Sequence, residues 1–440
     1  MKFYMKCLVC EKEYPEDSGI FQCNCGGKVD TIINLDNIDI SKTDLKNSKE
    51  TDPLFRYFDF YPLFYRDKAI SGGSIITPYF YSSQLSKELS LKVFIKNETL
   101  NPTASFKIKP ISVGFNYGLE HIHTNKKNKQ IFTTASCGNA ADALASLCAK
   151  TGNLCIIFVP AETTRERISS LIHKGAYVVP VLRDKNIPGD PTYYLMRKAV
   201  KKLGWIPLPS SGQDNSAQIE GAKSIAFEIC EQSGFEPPDH IVIQVGGGGL
   251  LNGIIKGFRE FEKLELIEES PEIHIVQSEG CAPLIEAYKN MTAYLPQGWD
   301  EVLKIIKEHP EIIKEWKDPR SVAWGILDDF PHDFAIGLAG VFQTGGSAVV
   351  VSDEEILTAY KLAAKKTGLF PCPTGSTGLV GLIKLRNLGV IDKNEKCAII
   401  FTGSGYKQLE TPAELYKTLT PIDPYIKNLY KLLDTLKIDY

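Results

Sequence analysis

The sequence predicts an α/β protein built on mostly parallel sheets, and three observations carry that expectation. Short apolar, β-branched runs alternate with amphipathic helical stretches from about residue 76 onward. Several runs, such as Ile241-Val242-Ile243 and Ala398-Ile399-Ile400-Phe401, are apolar throughout, as strands covered on both faces must be. Glycine- or hydroxyl-rich turns follow several of these runs, where open α/β sheets place their ligand sites.

The elements follow in order. Residues 1–30 carry Cys7-x-x-Cys10 and Cys23-x-Cys25-Gly26-Gly27. Thiolates paired on two tight turns let a segment without a core fold around tetrahedral Zn²⁺. Cys7, Cys10, Cys23 and Cys25 are therefore candidate ligands of a structural zinc in a ribbon-like segment. A degenerate ribbon holding no metal is the alternative. Residues 31–60 read as an irregular polar connector. Strands are predicted over 92–96, 130–134, 154–159, 177–181, 240–245, 273–277, 348–351 and 397–401. Helices are predicted near 138–150, 164–174, 190–202, 216–232, 249–263, 281–290, 353–366 and 375–386. Residues 298–319 are charged with helical period and read as a surface insertion. The tail over 411–440 opens with Thr411-Pro412-Ala413-Glu414, a helix start.

Composition narrows the function classes. Of 440 residues, 43% are hydrophobic and 23% charged, which excludes wholesale disorder. A net charge of −3 offers no basic field to nucleic acid or an anionic membrane. No apolar run reaches the roughly 18–20 residues that span a bilayer. The N-terminus lacks a signal-peptide apolar core, so a cytoplasmic protein is expected. Eleven cysteines, an odd number, argue against a disulfide framework.

Four segments carry chemistry. Asn101-Pro102-Thr103-Ala104-Ser105-Phe106-Lys107 sets a lysine in an otherwise uncharged stretch. Desolvation there lowers its proton affinity and makes it an amine nucleophile suited to a Schiff base. Ser136-Cys137-Gly138-Asn139 lies between a strand and a helix of small residues, where amide donors approach a ligand. Gly246-Gly247-Gly248-Gly249 joins a strand to a helix. Four glycines cost conformational entropy, and a loop of N–H groups around a phosphate is the common rationale. The loop lacks both the P-loop lysine and the dinucleotide spacing. Thr402-Gly403-Ser404-Gly405 supplies a hydroxyl after the last strand. An amine, a phosphate cradle, an amide and a hydroxyl together fit pyridoxal phosphate.

With these segments in place, the chain resembles the fold type II pyridoxal-phosphate enzymes, the tryptophan synthase β-like group, and within it the threonine synthases. The resemblance runs from Cys7 to about Lys407. It includes Ile219-Glu220-Gly221-Ala222-Lys223, Gln277-Ser278-Glu279-Gly280 and Pro373-Thr374-Gly375. It implies two three-layer αβα domains behind the ribbon. The larger is 31–108 with 210–440; the smaller, 109–209, closes on it to exclude water. It implies Lys107 as the catalytic Schiff-base lysine, forming the internal aldimine. Asn139 meets the cofactor's phenolic oxygen, Gly246–Gly249 its phosphate and Thr402 its ring nitrogen. Ser136, Lys109 and Asn215 are implied near the substrate. The implied activity is a lyase converting O-phosphohomoserine and water to threonine and phosphate. A homodimer acting on a small amino acid is the implied assembly.

Departures keep other chemistries open. Lys107-Ile108-Lys109-Pro110 stands where threonine synthases usually read Lys-Asp-Arg-Gly, and Lys109 replaces a bidentate Arg by a point charge. Cys137 stands where Thr is usual, and Cys372 where Glu commonly precedes Pro-Thr. A cysteate synthase-like β-replacement, a serine/threonine dehydratase or ammonia-lyase, and a non-catalytic protein keeping the fold are the alternatives.

Overall fold

A computed structural model describes residues 1–121, 130–184, 186–187, 189–209, 211–294, 298–409 and 421–436. Met1–Lys407 forms one compact unit and Gln408–Tyr440 a second.

The first unit opens with Phe3–Cys7 (β1), Glu13–Pro15 (β2) and Val29–Ile33 (β3), an antiparallel sheet in the order β2-β1-β3. Alternate residues of β1 and β3 are buried (Phe3, Met5, Cys7; Val29, Thr31, Ile33), as the two-residue pleat requires of a half-covered sheet. Next come Tyr79–Tyr81 (β4), Lys92–Asn97 (β5), Ile131–Ala135 (β6), Leu154–Pro160 (β7), Tyr177–Val181 (β8) and Ile206–Pro207 (β9). His240–Gln244 (β10), Glu272–Ser278 (β11), Ala348–Val351 (β12) and Lys396–Phe401 (β13) follow. Six of these form a sheet in the order β12-β11-β10-β13-β5-β4, parallel except for β4. Four form an all-parallel sheet in the order β8-β7-β6-β9.

Both sheets are covered on both faces, and the pleat shows it residue by residue. Ile241, Ile243, Ala398 and Ile400 enter one core with Ile225, Ile254 and Phe258 of the helices Lys223–Gln232 and Gly249–Lys263. Their neighbours Val242 and Ile399 enter another, with Leu379 and Leu382 of the helix Pro373–Asn387. In the smaller sheet, Ile157 and Val159 pack with Leu144 of Asn139–Thr151, while Phe158 packs with Met196 of Pro191–Leu203. This is why these strands read as unbroken apolar runs.

Four expectations are corrected. Residues 31–60 are not a loose connector: Leu45, Leu54, Tyr57, Phe58 and Phe60 are core residues. Segments too short for a periodic pattern had hidden them. The helix expected over 216–232 is two, Ala217–Glu220 and Lys223–Gln232, separated at Gly221. A Cβ at Gly221 would lie 2.4 Å from the Lys109 carbonyl oxygen, so the break is where the helix Ile108–His121 crosses. That helix and Phe334–Gln343 had no counterpart among the expected elements. Residues 298–319 are not a surface insertion: the helix Trp299–Glu308 buries Val302, Ile305 and Ile306 and packs on Phe334–Gln343. In the second unit the expected start at Thr411 lies outside the described residues, and Ile426–Leu436 is helical. Among the described residues no helix is long and apolar enough to cross a membrane.

Candidate active site

Three adjacent parallel strands bring the chemistry together. β10 ends at Gln244 and runs into Gly246–Gly249; β13 ends at Phe401, beside Thr402; β5 ends at Asn97 and leads to Lys107. Because β13 lies between the other two, their carboxyl ends fall side by side. The Lys107 and Thr402 loops are stitched together. Phe106 N donates to the Thr402 carbonyl (3.0 Å), Ser404 N donates to the Ala104 carbonyl (2.9 Å), and Ser105 bridges Gly403. Ala104 holds φ +51 in this loop, a left-handed conformation costly for a residue with a Cβ.

Lys107, Gln244, Gly246–Gly249, Asp328, Thr374 and Thr402 line one cleft with about 610 Å³ of empty space, part of it open to solvent. Burial pushes the Lys107 amine down to about 8, although Asp333 and Asp328 pull it the other way. The amine therefore gives up its proton more readily than a solvated lysine does.

The glycine loop caps the 15-residue helix Gly249–Lys263, whose N-terminus presents free N–H groups and a partial positive charge. A Cβ at Gly247 would sit 2.5 Å from Asp328 Oδ2. One at Gly248 would sit 2.9 Å from Asp333 Cβ, and Gly248 has φ +95. Asp333 N donates to the Gly247 carbonyl (3.0 Å), while its buried carboxylate accepts from Gly212 N (2.9 Å) and from Lys28 Nζ. The loop shape is thus held from the cysteine-rich segment.

Asp328 had no sequence signal beyond an Asp-Asp pair in an irregular stretch. Burial, with Asp329 and Asp333 beside it, raises its carboxyl to about 8. Thr374 Oγ1 accepts from Gly325 N (3.0 Å) and fastens the Asp328 loop to the helix Pro373–Asn387. Trp324 of that loop lies under the Arg167 guanidinium at 4.5 Å. It also lies so close to Gly138 that a Cβ there would be 2.9 Å from the ring.

Asn139 is the first residue of its helix, and its Nδ2 would stand 3.3 Å from a Cβ at Gly403, beside Thr402. Ser136 Oγ accepts from Gly138 N (3.3 Å) and shapes the turn that presents Asn139. Cys372 Sγ accepts from Gly375 N (3.3 Å) and caps the helix Pro373–Asn387.

Two expected substrate contacts lie away from the lining of the cleft. Lys109 is 2% exposed, and its ammonium is held by Glu98 Oε1 (2.8 Å) and Glu228 Oε1 (2.7 Å). It is spent on buried carboxylates and does not line the cleft. Asn215 is also fully buried, and its Nδ2 donates to the Pro207 carbonyl (3.1 Å) at the end of β9. It braces a strand end, its Oδ1 has no hydrogen-bond partner among the described residues, and it is not part of the cleft lining.

Two other clusters are chemically distinct. The sulfurs of Cys7, Cys10, Cys23 and Cys25 lie within 4.8 Å of one another, with Cys7–Cys25 3.6 Å and Cys10–Cys23 3.5 Å. Four thiolates at about 2.3 Å from one zinc stand about 3.8 Å apart. Backbone N–H groups of Val9 and Gly27 point at Cys7 and Cys25 sulfur (both 3.4 Å). The second cluster, His240, Glu272 and His274, sits at the amino ends of β10 and β11. Ser347 N donates to His274 Nδ1 (2.9 Å), so neutral His274 carries its hydrogen on Nε2 and donates to His240 Nδ1 (3.0 Å). His240 Nε2 then donates to Glu395 (3.0 Å), and the ring nitrogens are satisfied without a metal.

Residues 70–403 match the family described as pyridoxal-phosphate dependent enzymes. The chain is 31% identical to the threonine synthase of Methanocaldococcus jannaschii over 404 residues, covering 91% of this chain and 92% of that protein. It is 30% identical to the threonine synthase of Methanosarcina acetivorans, covering 96% and 97%. A fungal L-serine ammonia-lyase from Rhizomucor miehei shares the fold with a TM-score of 0.60 at 21% identity, over 78% of this chain and 99% of that one. The amine, phosphate cradle and hydroxyl that converge on one cleft fit the cofactor this likeness implies, and the chain belongs to the pyridoxal-phosphate-dependent enzyme family.

Proposed function

We propose that the chain is a threonine synthase, a pyridoxal-phosphate-dependent lyase that converts O-phosphohomoserine and water to threonine and phosphate. The observation that carries the cofactor is the meeting of Lys107, Gly246–Gly249 and Thr402 in one cleft. Identity to threonine synthases over nine-tenths of both chains supports the substrate.

Lys107 would hold the cofactor's aldehyde carbon, Gly246–Gly249 its phosphate, Asn139 its phenolic oxygen and Thr402 its ring nitrogen. When bound, the cofactor supplies an electron sink for the charge left at Cα. Lys107 Nζ, released when the substrate's amine takes its place on the aldehyde carbon, would take the Cα proton and then serve Cβ as acid and base. Phosphate departs from Cγ, and water adds at Cβ. Residues 109–209 closing on the remainder would exclude bulk water during these steps. A cytoplasmic homodimer belongs to the same reading.

The test is a panel of O-phosphohomoserine, O-phosphoserine, serine and threonine with product analysis. Stoichiometric threonine and phosphate from O-phosphohomoserine are expected, and no phosphate release from it refutes the assignment. Lys107-Ile108 in place of Lys-Asp favours the second reading, a β-replacement or dehydratase. That reading predicts turnover of serine, threonine or O-phosphoserine instead.

Asp328 gives a pH signature. Below about 8 it is neutral and does not repel a phosphate in the adjacent loop; above that value it ionises. Cofactor affinity is therefore expected to fall as pH rises through 8. In Asp328→Asn the part of that fall due to the carboxylate disappears, leaving the contribution of Lys107. Fluorescence titration at several pH values checks it, and parallel curves for the two proteins contradict it.

The four clustered thiols support a structural zinc. Purified protein is expected to carry one zinc per chain, lost in a Cys10→Ser, Cys25→Ser double variant. Elemental analysis finding no metal in the folded parent protein overturns it.

A further inference from the structure

Gln244, the last residue of β10, is 3% exposed and lines the cleft. Its side-chain Nε2 donates to the Ile400 carbonyl (3.0 Å) and to Thr402 Oγ1 (3.1 Å). The Ile400 carbonyl can only accept, so it fixes which end of the amide faces β13. Both Nε2 hydrogens are then used, and Thr402 Oγ1 is the acceptor of one. The hydroxyl must aim its single hydrogen elsewhere, and its Oγ1 donates to none of the described residues. The other end of the amide, Oε1, is buried without a hydrogen-bond partner, 2.9 Å from where a Cβ on Gly378 would be. A buried amide kept only for packing leaves this acceptor at a cost that a methionine or leucine would avoid.

We propose that Gln244 is a positioning residue that holds the Thr402 hydroxyl with its hydrogen directed into the cleft, so that Thr402 meets a pyridine nitrogen as donor. The inference rests on the cleft being a pyridoxal-phosphate site. A hydroxyl locked as donor matches an unprotonated ring nitrogen, which has a lone pair, and mismatches a pyridinium N–H. Gln244 thereby selects the ring state that restrains the electron sink and suits elimination and addition at Cβ and Cγ over transamination. A glutamine closing a strand gives no hint of this in the sequence, because the role exists only once β13 lies beside β10.

The experiment uses holoenzyme loaded with [¹⁵N]pyridoxal phosphate and reads the pyridine ¹⁵N resonance, with cofactor affinity measured in parallel. The parent protein and Thr402→Ser are expected to show the unprotonated, hydrogen-bonded position. Gln244→Met moves the resonance in the direction Thr402→Val moves it and weakens cofactor binding roughly three- to tenfold. Gln244→Glu, ionised at alkaline pH, accepts the hydroxyl's hydrogen bond and turns a lone pair to the ring, moving the resonance away from the hydrogen-bonded position. An unchanged resonance in either Gln244 variant, each checked for cooperative unfolding, overturns the inference. Parent protein lacking the visible band of lysine-bound cofactor overturns the underlying cofactor reading instead.

Discussion

Lys107→Ala is expected to lower turnover by about 10³-fold or more and to remove the visible absorbance of lysine-bound cofactor. The size of the effect follows from the site. Among the groups lining the cleft, Lys107 is the amine beside the glycine loop, and burial has already lowered it to about 8. Other lysines of the described residues are already engaged: Lys96 and Lys109 are fixed to Glu228, and Lys407 is fixed to Asp142. The proposed phosphate contacts of Gly246–Gly249 do not involve Lys107, so the variant is expected still to bind the cofactor, more weakly and with a free-aldehyde spectrum. A Lys107→Ala protein with the parent spectrum would show that another residue forms the bond.

Lys109→Met is expected to destabilise the fold by about 3–5 kcal/mol, the usual cost of leaving buried carboxylates without a partner. Glu98 and Glu228 are both fully buried, and Lys109 contacts both. Lys96 bonds Glu228 at 2.6 Å, and Thr77 Oγ1 donates to Glu98 at 2.5 Å. Four charges therefore share one dry compartment and balance as two and two. Burial alone would lower the Lys109 amine, yet Glu228 and Glu98 outweigh it and hold it raised. Removing it leaves a net negative charge in the core. The measurement is the denaturant midpoint at constant m-value. The same variant separates the two roles considered for Lys109. A substrate contact would raise KM with stability unchanged, whereas the buried pairings lower stability first. Glu98 also accepts from Asn101 Nδ2 (2.8 Å), so the network anchors the start of the loop that carries Lys107.

Much of this arrangement was legible beforehand, and the particular residues show why. Strands such as 177–181 and 348–351 and the helix 249–263 fall where the pattern puts them, because burial on both faces writes itself locally as apolar runs. Lys107, the glycine loop and Thr402 were visible because each follows a strand, and turn chemistry at strand ends is local. The aromatic core of residues 54–61 was not, since single turns of helix carry no readable period.

The sequence by itself determined the α/β class, eight of the thirteen strands among the described residues, the four clustered cysteines and the segments that meet at the cleft. These are local properties, fixed by side-chain type and spacing over a few residues. Only the tertiary structure decided that Lys109 turns inward, that Asp328 faces the glycine loop, and that Gln244 holds the Thr402 hydroxyl. The partners in those contacts lie 119, 81 and 158 positions away. Nothing local records whether a charge, an acid or an amide ends in water, in a core or in a cleft; the crossing of distant segments sets that.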